Sequence, residues 1–212
     1  MARRPTPAPV TGRTAEAQAF RNERVLAAAE ELARAGGYEA VQMREVAQLS
    51  KVALATLYKY YPSKDDLIAG LVRQQVIALD ADVRVRPPRE RTPSGRLGTI
   101  LIRAFHALVR NPGYAHAFVS VYLRPVPFEQ RPTTQDAGVF STQLGRGSRF
   151  LDVLIAAAWG PDAKVSADQR RALQLADSIW NGLVIGWING YVSQEEVEKR
   201  LRLAARLLVS ES

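Results

Sequence analysis

Three features of this 212-residue sequence predict an all-α fold. Apolar residues recur every three to four positions through most of the chain, a spacing that is typical of amphipathic helices. Glycines, prolines and capping residues are grouped between these periodic stretches, where helices begin and end. No stretch has the alternating pattern of an extended sheet. We predict a flexible basic arm over residues 1–20, a small helical head over residues 21–70 and a larger helical body over residues 71–212.

The first helix of the head is predicted to begin at Asn22, whose side chain is of the type that caps a helix. The pair Gly36-Gly37 ends this helix, because glycine readily adopts the conformations that follow a helix. Its buried face is formed by apolar residues at helical spacing, namely Val25, Leu26, Ala29 and Leu32.

Two shorter helices are predicted over residues 43–49 and 53–60, joined by a tight turn at Ser50-Lys51. Pro62 ends the second of them, because proline has no N–H for the next helical bond. Ser63, followed by two acids, then starts a longer fourth helix. Three helices, the last two joined by a tight turn, are the elements of a helix-turn-helix, whose third helix enters the major groove of DNA.

The third helix is predicted to present a polar face to the outside of the head. Val52 and Leu57 face inward, and Tyr61 is expected to pack between helices. A phenol hydroxyl donates to a phosphate oxygen and a lysine neutralises one, so an outer face that carries both is suited to a DNA backbone. The outer side chains are Thr56, Tyr58, Lys59 and Tyr60.

The runs G-G-Y-E-A-V-Q-M-R-E-V-A and T-L-Y-K-Y-Y-P-S-K-D-D-L resemble the TetR family of bacterial transcription regulators. The sequences of these two runs are further similar to those of the actinobacterial repressors of steroid and cholesterol catabolism. The similarity spans residues 22–70, with the motif at about residues 43–62. The resemblance implies a set of DNA-contacting residues, namely Arg44, Thr56, Tyr58, Lys59, Tyr60 and Lys64.

Three departures from the family pattern affect the motif. Leu54 and Ala55 replace polar side chains, so base reading is expected to use apolar contact with thymine methyl groups and the other outer residues. Lys51 stands where the turn often has glycine, so either its backbone adopts an unfavourable conformation or the turn differs. Gln42 and Ala53 occupy positions that helix-capping residues usually hold, at a cost of about 1 kcal/mol each.

The composition restricts the chemistry that the chain can perform. There is no cysteine, which excludes disulfides and cysteine-bound zinc, and the two histidines are not in a metal-binding pattern. No apolar run approaches the roughly 18 residues of a membrane span, and no signal peptide is recognisable at the N-terminus. We expect a cytoplasmic protein with no metal, no cofactor and no membrane partner.

The formal charge of +8 favours a polyanionic partner. Residues 1–70 hold ten Lys/Arg and eight Asp/Glu, a net +2, whereas residues 71–212 hold nineteen and thirteen, a net +6. Charge alone therefore gives weak support for DNA binding by the head. It also argues against a nonspecific DNA-binding protein, which would have a strongly basic head.

Residues 84–96 are predicted to form a linker between head and body, with five arginines and one glutamate. Solvation is the simpler explanation of these arginines, and contact with phosphates is the alternative. The body is predicted to contain five helices, at residues 97–110, 114–123, 135–158, 167–192 and 194–209.

Glycines recur at four-residue steps near the C-terminus, at Gly182, Gly186 and Gly190. Each costs about 1 kcal/mol relative to alanine in a helix, so close approach of another helix is expected to offset them. The resemblance implies that the last two helices form a homodimer interface, which this stripe suits. A neighbour within the same chain is the alternative.

Aromatic residues of the body are the candidates for a ligand pocket, although aromatics at helical spacing are also typical of a core. These candidates are Phe105, Phe118, Tyr122, Phe140, Phe150 and Trp180. Three polar residues on apolar helices, Arg103, His106 and Asn181, either orient a ligand or are satisfied locally. The resemblance implies a small apolar effector, of steroid or acyl-coenzyme A type.

The residues and the resemblance together predict a homodimeric transcription regulator, most simply a repressor released from an inverted-repeat operator by its effector. An all-helical enzyme acting on an apolar acyl substrate is the first alternative, although no metal cluster, phosphate loop or nucleophile–base pair supports it. A nonspecific DNA-binding protein is the second alternative.

Overall fold

The computed structural model describes residues 12–122 and 148–209. The described part is helical, as predicted, and for residues 12–16, 122 and 148 it covers the backbone alone. Its helices, in chain order, are α1 (Gly12–Ala40), α2 (Met43–Ser50), α3 (Leu54–Tyr60), α4 (Lys64–Val85), α5 (Pro93–Val109), α6 (Pro112–Tyr122), α7 (Ser148–Trp159), α8 (Ala167–Ile188) and α9 (Gln194–Leu208).

Helix α1 differs from its prediction at its start. It begins at Gly12, so Asn22 lies inside the helix and is not its cap. The pair Gly36-Gly37 interrupts the helix, with φ 67° and ψ −153° at Gly37, where the chain bends before the turn to α2. The predicted end is thus in place, whereas the predicted start was wrong because residues N-terminal to Asn22 also form helix.

The head is built on one small core between α1, α2, α3 and α4. Val41, Val46, Leu57 and Leu67 are fully buried there, each from a different segment of the head. Helix α3 has only seven residues, too few to be stable alone, so its shape depends on this packing.

The predicted linker does not separate head from body. Helix α4 runs without a break through position 70 and past position 84, and α5 begins at Pro93 after a Thr92 cap. Arg84 pairs with Asp80, and Arg96 donates from Nε to the carbonyl oxygen of Ala158 at 2.9 Å. The arginines and prolines of this segment therefore belong to a helix end and a folded connection, and α4 joins head to body.

The body packs around α5, whose residues Ile100, Leu101 and Phe105 are fully buried. Helix α5 contacts α7, α8 and α9, and α8 also packs on α9. The predicted helix over residues 135–158 lies partly outside the described residues, and its described part is α7. None of the described helices is long and apolar enough to cross a membrane.

Helix α8 ends at Ile188, so Gly190 is not part of a helical stripe. Gly190 has φ +74° and its N–H donates to the oxygen of Trp187, while the N–H of Tyr191 donates to the oxygen of Gly186 at 2.8 Å. This pair of bonds is the Schellman pattern, which ends a helix with a glycine in the left-handed conformation. The predicted three-glycine stripe was therefore wrong at its last member.

Candidate nucleic-acid interface

The turn between α2 and α3 is tight and places strain on a lysine. Lys51 has φ 54° and ψ 38°, the left-handed conformation, and its N–H donates to the oxygen of Gln48 at 3.2 Å. This conformation costs a residue with a side chain about 1–2 kcal/mol. Of the two alternatives for Lys51, the strained backbone is the one observed. The side chain of Lys51 is exposed beside the start of α3.

The two faces of α3 divide as predicted. Leu57 is fully buried, whereas Tyr58 and Tyr60 are 46 % and 42 % exposed. Lys59 is exposed, and Thr56 lies at the edge, half-buried. Neither Ala53 nor Gln42 makes a capping hydrogen bond from its side chain. The outer face of α3 therefore consists of two phenols, an ammonium group and a hydroxyl.

Leu54 and Ala55, the apolar departures at the start of α3, have different surroundings. Leu54 is half-buried and packs on the core of the head, whereas Ala55 is exposed. A methyl group at position 55 is thus free to meet an apolar partner, such as a thymine methyl group in the major groove.

Six cations of the head have no acidic partner within the described part of the chain, and two of these, Arg24 and Lys64, donate to backbone carbonyl oxygens. The other four are Arg21, Arg44, Lys51 and Lys59. In the body, by contrast, carboxylates lie beside most of the described cations of α9, as in the pairs of Lys199 with Glu195 and Arg200 with Glu196, both at 2.7 Å. The net charge of +2 for residues 1–70 therefore understates the field near α3, because cations and not ion pairs border that helix.

Lys64 is less free than the other predicted phosphate contacts. Its ammonium donates to the carbonyl oxygen of Tyr38 at 3.0 Å and lies 3.9 Å from the centroid of the Tyr38 ring. It stands at the N-terminus of α4, where Ser63 and Asp66 form a capping box. The ammonium retains further N–H donors beside a helix N-terminus, a location that favours anions.

Tyr61 packs inside the head, as expected. It is 6 % exposed, and its hydroxyl donates to Oδ1 of Asn22 at 2.6 Å. Burial raises the pKa of Tyr61, so the phenol remains protonated as the donor. Sequence reasoning missed Asn22 as the partner, because 39 positions separate the two residues and no local pattern joins them.

Arg24 is a second residue of α1 that sequence reasoning missed. Its guanidinium donates to the carbonyl oxygen of Ser50, the last residue of α2, and lies 5.8 Å from the Phe20 ring. A cation at a helix C-terminus satisfies an unpaired carbonyl and the helix dipole. Asn22 and Arg24 thus hold the residues that follow and precede α3.

The predicted pocket aromatics form two groups where they are described. The Trp180 ring centroid lies 6.3 Å from that of Phe118 and 5.9 Å from that of Phe150, and Trp180 Nε1 donates to the oxygen of Leu101. Phe105 is fully buried and packs edge-on against Trp187. Phe140 and the side chain of Tyr122 lie outside the described residues.

The three polar candidates of the body are satisfied locally. Arg103 donates to the oxygen of Arg86, and His106 Nε2 lies 2.9 Å from Glu198 Oε1. Asn181 donates from Nδ2 to both the backbone oxygen and Oδ1 of Asp177, one turn earlier in α8. No group of three or more metal-ligating side chains is found among the described residues.

The remaining glycines of the predicted stripe differ in their surroundings. A Cβ atom at Gly182 would meet nothing within 4 Å, whereas one at Gly186 would lie 3.0 Å from Cγ2 of Val192. Gly186 thus has a neighbour within the chain, and Gly182 is exposed. Apolar side chains are exposed on the same face of α8 as Gly182 and on α9, namely Leu175, Ile179, Leu203 and Leu207.

Comparisons with known proteins agree with this architecture. Residues 25–71 match the family described as bacterial regulatory proteins, tetR family. The chain is 31 % identical to the HTH-type transcriptional repressor KstR of Mycobacterium tuberculosis over 196 residues, 92 % of this chain and 84 % of that protein. It is 30 % identical to KstR of Rhodococcus jostii over 198 residues, 93 % and 87 % of the two chains.

A solved structure is similar over nearly the whole chain. It is the crystal structure of a TetR transcriptional regulator from Rhodococcus sp. RHA1, with a TM-score of 0.71 and 28 % sequence identity. The similarity covers 91 % of this chain and 97 % of that one. The likeness therefore extends beyond the head to the helical body.

Proposed function

Since the chain belongs to the TetR family of bacterial transcription regulators, and within it to the branch of the actinobacterial KstR repressors, we propose that it represses transcription from an inverted-repeat operator. Membership of this family makes the chain a DNA-binding regulator and not an enzyme. The observation that carries the proposal is the exposed face of α3, where two phenols and Lys59 lie beside unpaired cations of the head.

Each predicted contact has a role in this proposal. Tyr58, Tyr60 and Thr56 donate to phosphate oxygens, Lys59 and Arg44 meet phosphates or base edges, and Ala55 meets a thymine methyl group. Lys64 contacts a phosphate at the N-terminus of α4 while it keeps its bond to Tyr38.

A homodimer places two such heads on the two halves of the operator. Leu175, Ile179 and Gly182 follow one another on α8 at steps of four and three residues, so they form one apolar stripe on the surface of a single chain. Leu203 and Leu207 form another on α9. Covering these stripes by a second copy removes them from water, and the two-fold symmetry of a dimer matches that of an inverted repeat.

The proposed effector is a small apolar molecule of steroid or acyl-coenzyme A type, bound in the body. The rings of Phe118, Phe150 and Trp180 pack on one another in the body, and we place the apolar contacts of such a molecule at this group. Release from DNA then requires that the effector bind more tightly to a body whose heads are wrongly spaced than to the DNA-bound form.

The proposal is tested by selecting bound sequences from a random DNA library and measuring operator affinity by mobility shift. We expect an inverted repeat to be enriched, and Tyr60→Ala to weaken binding to it by at least about tenfold. Arg200→Ala, on α9, serves as the matched control because its charge is paired far from α3 in sequence. Enrichment of no sequence would revive the nonspecific alternative, and undiminished binding by Tyr60→Ala would remove α3 from the interface.

A further inference from the structure

The residue that follows α3 is held from two sides. Tyr61 lies directly after the last residue of α3, and its hydroxyl donates to Oδ1 of Asn22 on α1 at 2.6 Å. Its ring lies against α4, where a Cβ atom at Gly70 would stand 2.7 Å from Cε1 and 3.1 Å from the hydroxyl of Tyr61. The end of α3 is therefore attached to both long helices of the head.

Gly70 is explained by this contact. Glycine inside a helix is destabilising relative to alanine, and Gly70 lies within α4 with no turn or positive φ to require it. A methyl group at position 70 would displace the ring of Tyr61, since 2.7 Å is shorter than any ordinary carbon–carbon contact. Gly70 thus provides the space in which the ring of Tyr61 lies.

The start of α3 is held by the same stretch of α1. Arg24, two positions after Asn22, donates to the oxygen of Ser50, and the turn from Ser50 leads into α3. A helix of seven residues has little stability of its own, so these attachments decide its orientation. Tyr61 attaches the C-terminal end of α3 to α4, the helix that continues into the body.

We propose that Tyr61 is a positioning residue for operator recognition, because its bond to Asn22 and its packing on Gly70 set the angle at which α3 meets the bases. This inference rests on the proposed function, since it presupposes a specific operator. Hydrogen bonds to base edges weaken steeply with angle and distance, whereas the attraction between cations and phosphates falls off slowly. A small tilt of α3 therefore costs discrimination between DNA sequences more than it costs affinity for DNA as such.

The test uses Tyr61→Phe, Asn22→Ala and the double variant in the full-length protein. The measurement is the ratio of the dissociation constant for a base-substituted operator to that for the intact operator, together with the dependence of affinity on salt. We expect Tyr61→Phe to lower this ratio by at least about fivefold, with the salt slope unchanged because no phosphate contact is lost. Asn22→Ala is expected to have no additional effect in the Tyr61→Phe background, because both changes remove one bond.

Two phenylalanine variants serve as matched controls. Tyr58→Phe removes an exposed phenol from α3 and is expected to weaken binding to both DNAs by the same factor. Tyr191→Phe, 82 % exposed after α8, is expected to change neither constant.

Gly70→Ala leaves the hydrogen-bonding groups intact and is expected to lower the ratio as Tyr61→Phe does.

The outcomes separate the inference from the function on which it rests. A wild-type protein that does not distinguish the two DNAs contradicts the proposed function itself. An unchanged ratio for Tyr61→Phe, with or without an equal loss of affinity for both DNAs, overturns the positioning role and leaves Tyr61 as a packing residue. Thermal unfolding of each variant, followed by circular dichroism, verifies that the head is folded at the temperature of the binding measurement.

Discussion

The backbone of Gly113 lies so close to Ala33 that a Cβ atom at position 113 would stand 2.5 Å from the Ala33 carbonyl oxygen. The carbonyl oxygen of Arg34 would lie 2.8 Å away. Gly113 is near the start of α6 in the body, and Ala33 belongs to α1 in the head. This close approach of two backbones, together with the continuous α4, is what joins the head to the body.

Gly113→Ala is therefore expected to destabilise the protein by about 1–3 kcal/mol, the usual cost of overpacking, because backbone atoms of α1 must move. Chemical unfolding in urea measures the difference. Gly98→Ala is the matched control, since a Cβ atom there would lie 3.6 Å from its nearest neighbours, an ordinary contact. Equal stability of the Gly113→Ala and wild-type proteins would mean that the joint is looser than the structure indicates.

The dimer proposed above predicts the effect of a charge on the apolar stripe of α8. Ile179→Glu is expected to raise the dimer dissociation constant by at least about tenfold, because a carboxylate would be buried between the two copies. The fold of each chain should persist, since Ile179 is 38 % exposed. Sedimentation equilibrium measures the dissociation constant.

Ile77→Glu provides the comparison for this dimer test. Ile77 is 48 % exposed on α4, outside the proposed interface, and its substitution is expected to leave the association unchanged. A dimer that resists Ile179→Glu but dissociates with Ile77→Glu would move the interface from α8 to α4.

Lys59→Ala is expected to change the salt dependence of operator binding. If Lys59 neutralises one phosphate, its loss reduces the slope of log affinity against log salt by about 0.9. Lys199→Ala is the control, because Lys199 is paired with Glu195 on α9. A fall in affinity with an unchanged slope would indicate that Lys59 contacts a base edge and not a phosphate.

The parts of the fold that were predicted from sequence are those that local patterns determine. The burial of Leu57 and the exposure of Tyr58 and Tyr60 follow from helical periodicity. The capping by Ser63 follows from its residue type and the acids after it. The strain at Lys51 is one of the two alternatives that the sequence left open, and the structure has this one. Such features depend on residues within about one helical turn of each other.

The parts that were missed or wrong depend on long-range packing. Asn22 was taken for a helix cap, but its side chain accepts a hydrogen bond from the hydroxyl of Tyr61, 39 positions away. The close contacts that require glycine at positions 70 and 113 are also visible only in the folded structure. The arginine-rich segment was taken for a linker because its composition is typical of one. Instead, Arg84 forms an ion pair with Asp80 at the end of α4. Arg96 donates a hydrogen bond to the carbonyl oxygen of Ala158, 62 positions away.

Asp177, on α8 in the body, predicts how the stability of the protein varies with pH. Burial raises its pKa from 3.8 to about 6, and the bond from Asn181 opposes this only in part. Since the folded state holds this proton more tightly than the unfolded state, the contribution of Asp177 to stability is lost as the pH rises from about 4 to about 6. This is opposite to the behaviour of a salt-bridged carboxylate. Asp177→Asn keeps an acceptor for Asn181 and removes the charge, so it is expected to stabilise the protein at pH 7.5 by about 1–3 kcal/mol.

The gain from Asp177→Asn is expected to vanish near pH 4, where the wild-type carboxyl is protonated in the folded state and the buried charge is absent. Urea unfolding of variant and wild type at both pH values measures this, and the difference between the two proteins cancels the titration of every other group. Asp162→Asn is the matched control, because it makes the same substitution at an exposed position where no buried charge is removed. A gain of the same size at both pH values would place the benefit in packing and not in the removal of a buried charge.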